Sequence, residues 1–160
     1  GFLSDENDRV KLEYDFDSLD KLIDSAISKA YIDKDNILSY DLKYFINYME
    51  MRKSQIMTLR YIFEQGKGMK TRPSQARDVA ELIFNLVPKL HESNNALNAL
   101  MDLYFVKEKM KNSELPKSRE EFEDRAILHS MVVNFEQFLE IKREFAANLS
   151  EEEKNIFWNR

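Results

Sequence analysis

An arginine and three tyrosines in the first half of the chain are the residues whose types and spacing best suit ligand chemistry. Tyr40, Tyr44 and Tyr48 recur every four residues and lead to Arg52, so a helix would carry them as one stripe. Tyrosine rings are flat and largely apolar, and a guanidinium binds a carboxylate through two parallel hydrogen bonds. Arg52, Tyr44 and Tyr48 are therefore candidate binding residues for a flat aromatic acid.

Arg52 also admits two structural interpretations, because it occupies a position in an apolar repeat at steps of four and three residues. The guanidinium could extend to water along the end of the helix, or it could pair with an acidic residue of a facing helix. The tyrosine stripe could likewise belong to a core or its rim. The repeat contains Leu38, Leu42, Phe45, Met49, Arg52, Ile56, Leu59 and Phe63.

Motifs for catalysis and for cofactors are missing from the sequence. There is no cysteine, and neither His91 nor His129 follows a glutamate by three residues, the spacing that di-metal bundles use. The glycines around Lys67 do not continue into a phosphate-binding loop. Acidic residues cluster at 120–124, where carboxylates favour the start of a helix. We expect no enzyme activity, no cofactor and no metal.

Composition favours a helical protein that does not bind nucleic acid. The 160 residues contain 24 Lys and Arg against 29 Asp and Glu, a formal net charge of −5, and no basic cluster stands out. Only three glycines and three prolines interrupt residue types that favour helices. The apolar runs are far shorter than the roughly 20 residues that span a bilayer.

The apolar spacing predicts an all-α fold, an elongated up-and-down bundle of four to five long antiparallel helices with a short C-terminal helix. Residues 1–15 are polar and predict a tether, with Gly1 as the remnant of a cleaved tag, and residues 16–160 predict one domain. Gly66 and Gly68 should end the second helix in left-handed conformation. The predicted helices cover residues 17–33, 37–65, 73–91, 94–112 and 119–148, with a short one after Ser150.

Two faces are predicted to be buried in the second half of the chain. The helix over 94–112 is expected to bury Leu97, Leu100, Met101, Tyr104 and Phe105. The helix over 119–148 is expected to bury Phe122, Ile127, Met131, Phe135, Phe138, Ile141 and Phe145.

The start of the longest predicted helix carries the clearest boundary signal. Pro116 breaks the preceding segment, and Ser118 with Glu121 fits a capping box, in which each side chain accepts a hydrogen bond from a first-turn amide. Arg119 and Arg125 are each four residues from a glutamate, which favours ion pairs along the helix. A second capping box joins Ser150 to Glu153.

These residues resemble a known family. The stretch LPKSREEFEDRA at 115–126, followed by FLEIKREF at 138–145, is similar to the C-terminal domain of the putative aromatic acid exporter family of Gram-positive bacteria. Residues 92–96, before the fourth predicted helix, and 48–56 are similar to further segments of that domain.

The resemblance implies a helical accessory domain on the cytoplasmic face of a multi-spanning membrane protein that exports aromatic carboxylic acids. Its partners would be the parent's own N-terminal membrane region, expected before Phe2, and in addition a second copy of the chain or an aromatic carboxylate. It supplies no catalytic residues. The alternative is a free-standing helical adaptor or sensor that binds a partner helix or a small ligand through the Tyr- and Met-rich helix face.

Overall fold

A computed structural model describes residues 6–34 and 40–159 of the chain, with the side chains of 6–8, 34, 40 and 87 left out of the description. Within those ranges it contains six α-helices and no strand, which confirms the all-α prediction. Gly1 and Leu38 and the side chain of Tyr40 lie outside the described residues. The helices are α1 (Glu6–Lys34), α2 (Tyr40–Gly66), α3 (Ser74–Leu86), α4 (Leu97–Lys111), α5 (Arg119–Asn148) and α6 (Glu151–Phe157).

The chain divides into two compact units, Gly1–Met57 and Thr58–Arg160, with the boundary inside α2. In the first unit, α1 begins at Glu6 and not near residue 17, so part of the expected tether is helical. On α1, Ile23 is buried whereas its neighbour Leu22 is exposed. The α2 residues of this unit that are buried and apolar are Tyr44, Ile46, Met51 and Ile56.

The second unit packs α3, α4 and α5 around one core, to which the end of α2 contributes Ile62. α5 supplies the largest share of the buried core residues: Leu128, Met131, Val132, Phe135, Phe138 and Leu139. The predicted face of α5 was wrong at its start, because Phe122 is exposed. The core-facing positions begin only where α3 and α4 pack against α5, beyond the first turn.

The predicted face of α4 was also wrong. Ala99 and Leu103 are buried against the core, together with Ala96 just before the helix. Four of the five residues expected to be buried, Leu97, Met101, Tyr104 and Phe105, are exposed instead. α4 has apolar residues on two faces, so the sequence pattern alone did not distinguish them.

α2 ends without the left-handed glycine that the sequence suggested, since no described glycine has a positive φ. Amide-to-carbonyl bonds three residues apart close the last turn, from Lys67 to Glu64 and from Gly68 to Gln65. Gly66 serves close packing, because a Cβ there would lie 3.3 Å from the Cε atom of Met131. α3 stops at Leu86 and continues as a 3₁₀ turn, Val87–Lys89. Pro88 accounts for this end, because it has no amide hydrogen to donate and its ring clashes with the preceding helical turn.

Candidate functional site

The first turns of α2 bring together the three residues selected from the sequence, Tyr44, Tyr48 and Arg52. They lie at successive four-residue steps and so share one side of the helix. The rings of Tyr44 and Tyr48 stack with centroids 6.1 Å apart and an interplanar angle of 13°. The guanidinium carbon of Arg52 lies 5.1 Å from the centroid of the Tyr48 ring, a distance at which the cation is attracted to the π-face.

Hydrogen bonds within α2 fix the orientation of the Arg52 side chain. Its Nε donates to the hydroxyl of Tyr48 at 2.9 Å, and its Nη1 donates to Oε1 of Gln55 at 2.8 Å. Gln55 and Tyr44 are buried, whereas Arg52 and Tyr48 are half-buried. The arrangement therefore presents a positive charge held beside a pair of stacked rings at the edge of the unit's buried interior.

Two polar contacts join α1 to this part of α2. Lys53 forms an ion pair with Asp24, and the hydroxyl of Tyr31 donates to Oε1 of Glu50 at 3.3 Å. The negative charge of Glu50, with burial and this hydrogen bond, raises the pKa of Tyr31. The hydrogen bond to Asp24 raises the pKa of Lys53. Both contacts favour the ionisation states present at neutral pH and keep α1 beside the candidate site.

The LPKSREEFEDRA segment forms the entry to α5. Ser118 caps the helix by accepting a hydrogen bond from the Glu121 amide at 3.0 Å. A capping box would join the Glu121 carboxylate to the amide of Ser118. The carboxylate accepts instead from the amide of Lys117 at 2.9 Å, one residue before the cap. Glu121 also pairs with Arg125 at 2.5 Å. The hydrogen bond from Lys117, followed by that from Arg125, lowers the pKa of Glu121.

The other residues of that segment serve the same helix start. Arg119 pairs with Glu123 at 3.0 Å, as the four-residue spacing predicted. Arg125 also donates to the backbone carbonyl of Glu114, which ties the segment before Pro116 to α5. Pro116 itself is half-buried. Apart from those of Asp124, the described contacts of this segment are those of a helix start.

Asp124 is a buried acid whose role the sequence did not reveal. Its carboxylate accepts hydrogen bonds from the backbone amides of Lys70, at 2.9 Å, and Thr71, so it fastens the loop between α2 and α3 to α5. Burial alone would raise the pKa of Asp124, but the hydrogen bonds from Thr71 and Lys70 outweigh it and lower the pKa.

Lys142 is a second buried charge that sequence reasoning missed. Its ammonium donates to the backbone carbonyl of Glu92. The same nitrogen lies 5.3 Å from the ring centroid of Phe145 and 5.5 Å from that of Trp158. Lys142 thus connects α5 to the segment before α4 and to the end of α6, where the expected capping box of Ser150 and Glu153 is present.

A groove of about 470 Å³ runs between α3 and α4 in the second unit. Its polar walls carry acidic residues from both helices and two lysines, of which Lys109 pairs with Asp78 at 2.7 Å. The charged residues that line it are Asp78, Glu81, Lys89, Asp102 and Lys109. No group of residues suited to hold a metal ion occurs in the part of the chain that the structure describes.

The fold and the caps define an all-α domain. The family described as putative aromatic acid exporter C-terminal domain matches residues 1–143, and the chain belongs to this family. None of the helices described within 6–34 and 40–159 has the length and apolarity needed to cross a membrane.

Two other proteins are similar to this chain. The chain is 32% identical over 126 residues to the uncharacterized protein YqjA of Bacillus subtilis (strain 168), covering 78% of this chain and 39% of YqjA. It therefore spans about two fifths of the length of that relative. The crystal structure of a putative membrane protein from Clostridium difficile 630 is similar with a TM-score of 0.73 and 33% identity, over 86% of this chain and 80% of that one.

Proposed function

We propose that this chain is the cytoplasmic accessory domain of a multi-spanning exporter of aromatic carboxylic acids and that it regulates transport. Membership of the exporter family, over residues 1–143, carries the proposal. The greater length of YqjA and the description of the Clostridium difficile protein as a putative membrane protein favour it over a free-standing helical adaptor. In this role the domain responds to the exported acid while the membrane region provides the path.

The proposed site of that response is the group Tyr44, Tyr48 and Arg52. An aromatic carboxylate could place its ring against the tyrosine pair and its carboxylate at the guanidinium. Two of the hydrogen bonds that Arg52 donates go to neutral oxygens, those of Tyr48 and Gln55. A carboxylate is the stronger acceptor for a guanidinium, so exchange of the Gln55 oxygen for a ligand oxygen is chemically favourable.

Transport by the parent protein tests the regulatory role. Inside-out membrane vesicles would be prepared from cells that produce the intact exporter or an exporter that lacks this domain. Uptake of labelled hydroxybenzoate into the two kinds of vesicle would be measured. We expect uptake by the truncated protein to follow simple saturation with hydroxybenzoate concentration, whereas uptake by the intact exporter departs from it because the domain responds to the same acid. Identical concentration dependence in the two proteins would contradict a regulatory role.

The absence of cysteine allows a direct test of the cytoplasmic location. In a parent freed of other cysteines, Ala147→Cys places a thiol at an exposed position, and Ala146→Cys is the matched buried control. A membrane-impermeant maleimide should label position 147 in inside-out vesicles but not in intact cells, and should leave position 146 unlabelled in both. Labelling of position 147 in intact cells would refute the location.

Calorimetric titration of the chain with hydroxybenzoate tests the ligand site separately. Because Arg52→Leu removes both the charge and the fork of donors, we expect it to weaken binding at least about tenfold. Arg77→Leu, at an exposed position on α3, is the control and should bind as the wild type does. Equal affinity of the Arg52→Leu and wild-type chains would exclude this site without affecting the transport role.

A further inference from the structure

The face of α4 that points away from the core is apolar and exposed. Inner positions Ala99 and Leu103 face the core. The outer stripe consists of Leu97, Met101, Tyr104 and Phe105, which are 50%, 59%, 59% and 65% exposed. These four lie at helical spacing on one side, so they form a continuous stripe and not scattered residues.

A contiguous apolar patch that stays exposed on a protein surface normally marks an interaction site. The outer stripe also has the composition of an interface centre, since aromatic residues and methionine are enriched there and charges are depleted. We propose that this stripe pairs two copies of the chain, with the two α4 helices antiparallel. The inference is independent of the transport role.

The helix dipoles favour an antiparallel pair of identical helices. Lys107 pairs with Glu136 at 2.6 Å and Lys109 pairs with Asp78 at 2.7 Å, so both lysines already have partners inside the unit. Antiparallel pairing opposes the two helix dipoles, whereas parallel pairing would align them.

The size of the stripe also fits a weak symmetric dimer. The exposed fractions correspond to roughly 300–400 Å² of apolar side-chain surface per chain. With the polar rim that surrounds such patches, a two-fold pair would bury about 1,200 Å² in total, at the lower limit for specific interfaces. One patch serves both partners, as a two-fold axis requires.

Sedimentation equilibrium of the full chain at about 0.01–1 mM tests the pairing, because an interface of this size is expected to dissociate in the micromolar range or above. The wild type should pass from 19.1 kDa to twice that mass as concentration rises. Met101→Glu and Phe105→Glu should remain monomeric, because each places two charges in the interface. Phe84→Glu, at an exposed position on α3, is the control and should still dimerise.

The outcomes separate cleanly. A wild type that stays at 19.1 kDa throughout, or a dimer that survives Met101→Glu, would overturn the proposal. Circular dichroism would establish that each variant is folded, and Met101→Gln replaces Met101→Glu if that variant unfolds. Dimer loss in both stripe variants with retention in Phe84→Glu is the expected result.

Disulfide formation tests the antiparallel arrangement, since the chain has no cysteine of its own. Two cysteines are linked only where their Cα atoms approach within about 7 Å. Under mild oxidation, a mixture of Leu97→Cys and Phe105→Cys chains should give mixed dimers in excess over like dimers. Excess self-linked Leu97→Cys dimers would indicate parallel helices and refute this arrangement.

Discussion

α3 and α4 are neighbours in the same unit, yet they relate to the core in different ways. α3 buries one apolar face, with Val79, Leu82 and Leu86, and its outer face is polar apart from Phe84. α4 buries Leu103 on its inner side and exposes Met101 on the outer side. The comparison teaches that an apolar residue at helical spacing identifies the core only where the opposite face is polar.

The two helices also differ in how the chain enters them. The loop before α3 is held by the buried carboxylate of Asp124, which accepts from the Lys70 and Thr71 amides. The segment before α4 is held by the buried ammonium of Lys142, which donates to the Glu92 carbonyl, and by local turns, in which the side chain of Asn94 accepts from the Ala96 amide at 2.5 Å. Ala96 itself has a φ of 62°, in the left-handed region that alanine avoids.

Truncation of each face of α4 should give the largest contrast. Leu103→Ala leaves a cavity in the core, so we expect a loss of about 2–5 kcal/mol in the free energy of unfolding. Met101→Ala removes an exposed side chain and should change it by less than about 0.5 kcal/mol in dilute solution, where the chain is monomeric. Urea unfolding measures both. Similar losses in the two variants would show that α4 does not have distinct inner and outer faces.

Removal of the Asp124 carboxylate should have the next largest effect. Asp124→Ala leaves two loop amides without their acceptor, and we expect a loss of about 1–3 kcal/mol at pH 7. Because the pKa of Asp124 is lowered in the folded protein, its contribution is complete above the unfolded value of about 3.9 and disappears as the pH falls through the folded value.

A pH series of urea unfolding experiments measures that effect. The difference between the wild type and Asp124→Ala should be constant from pH 7 down to about pH 5 and should shrink below about pH 4. Glu123→Ala, at an exposed neighbouring position, is the control and should leave the pH dependence of unfolding nearly unchanged. A difference that grows on acidification would contradict the assignment of Asp124.

Glycine substitution before and within α4 should have the smallest effect. Ala96→Gly relieves the left-handed strain but removes a buried methyl group, so we expect a change of less than about 1 kcal/mol. Ala99→Gly loses a buried methyl group and helix propensity without such relief, and should cost about 1–2 kcal/mol more than Ala96→Gly. Equal losses in thermal unfolding would mean that the conformation of Ala96 carries no strain.

Helix boundaries were predictable where local signals act alone. α5 begins at Arg119 and ends at Asn148, as predicted, because Pro116 and the Ser118 cap act within one turn. The start of α1 was not predictable from an apolar stripe, because residues 6–16 form helix although they are mostly polar and lack helical apolar spacing. The side of α4 that is buried depended on its neighbours and not on its own pattern.

At the candidate site, too, contacts within one helix were predictable and contacts between distant segments were not. The grouping of Tyr44, Tyr48 and Arg52 follows from four-residue spacing within one helix and was predictable. The partners of Asp124 and Lys142 are 54 and 50 residues away along the chain, so no local pattern could reveal them. The sequence did not indicate that Asp124 and Lys142 are buried, because acids at a helix start and lysines in a charged helix are ordinary surface features.

The central claim is that the inner side of α4 packs on the core while its outer stripe joins two chains. The most direct test is a methyl NMR spectrum of methionine-labelled chain recorded over a range of concentrations. Met101, on the outer stripe, and Met57, on α2, are 59% and 60% exposed, so they differ in location and not in exposure. We predict that the Met101 methyl resonance shifts as concentration rises, while those of Met57 and the buried Met131 stay in place. A Met101 resonance that is independent of concentration, or an equal shift of Met57, would contradict the claim that the outer face of α4 joins two chains.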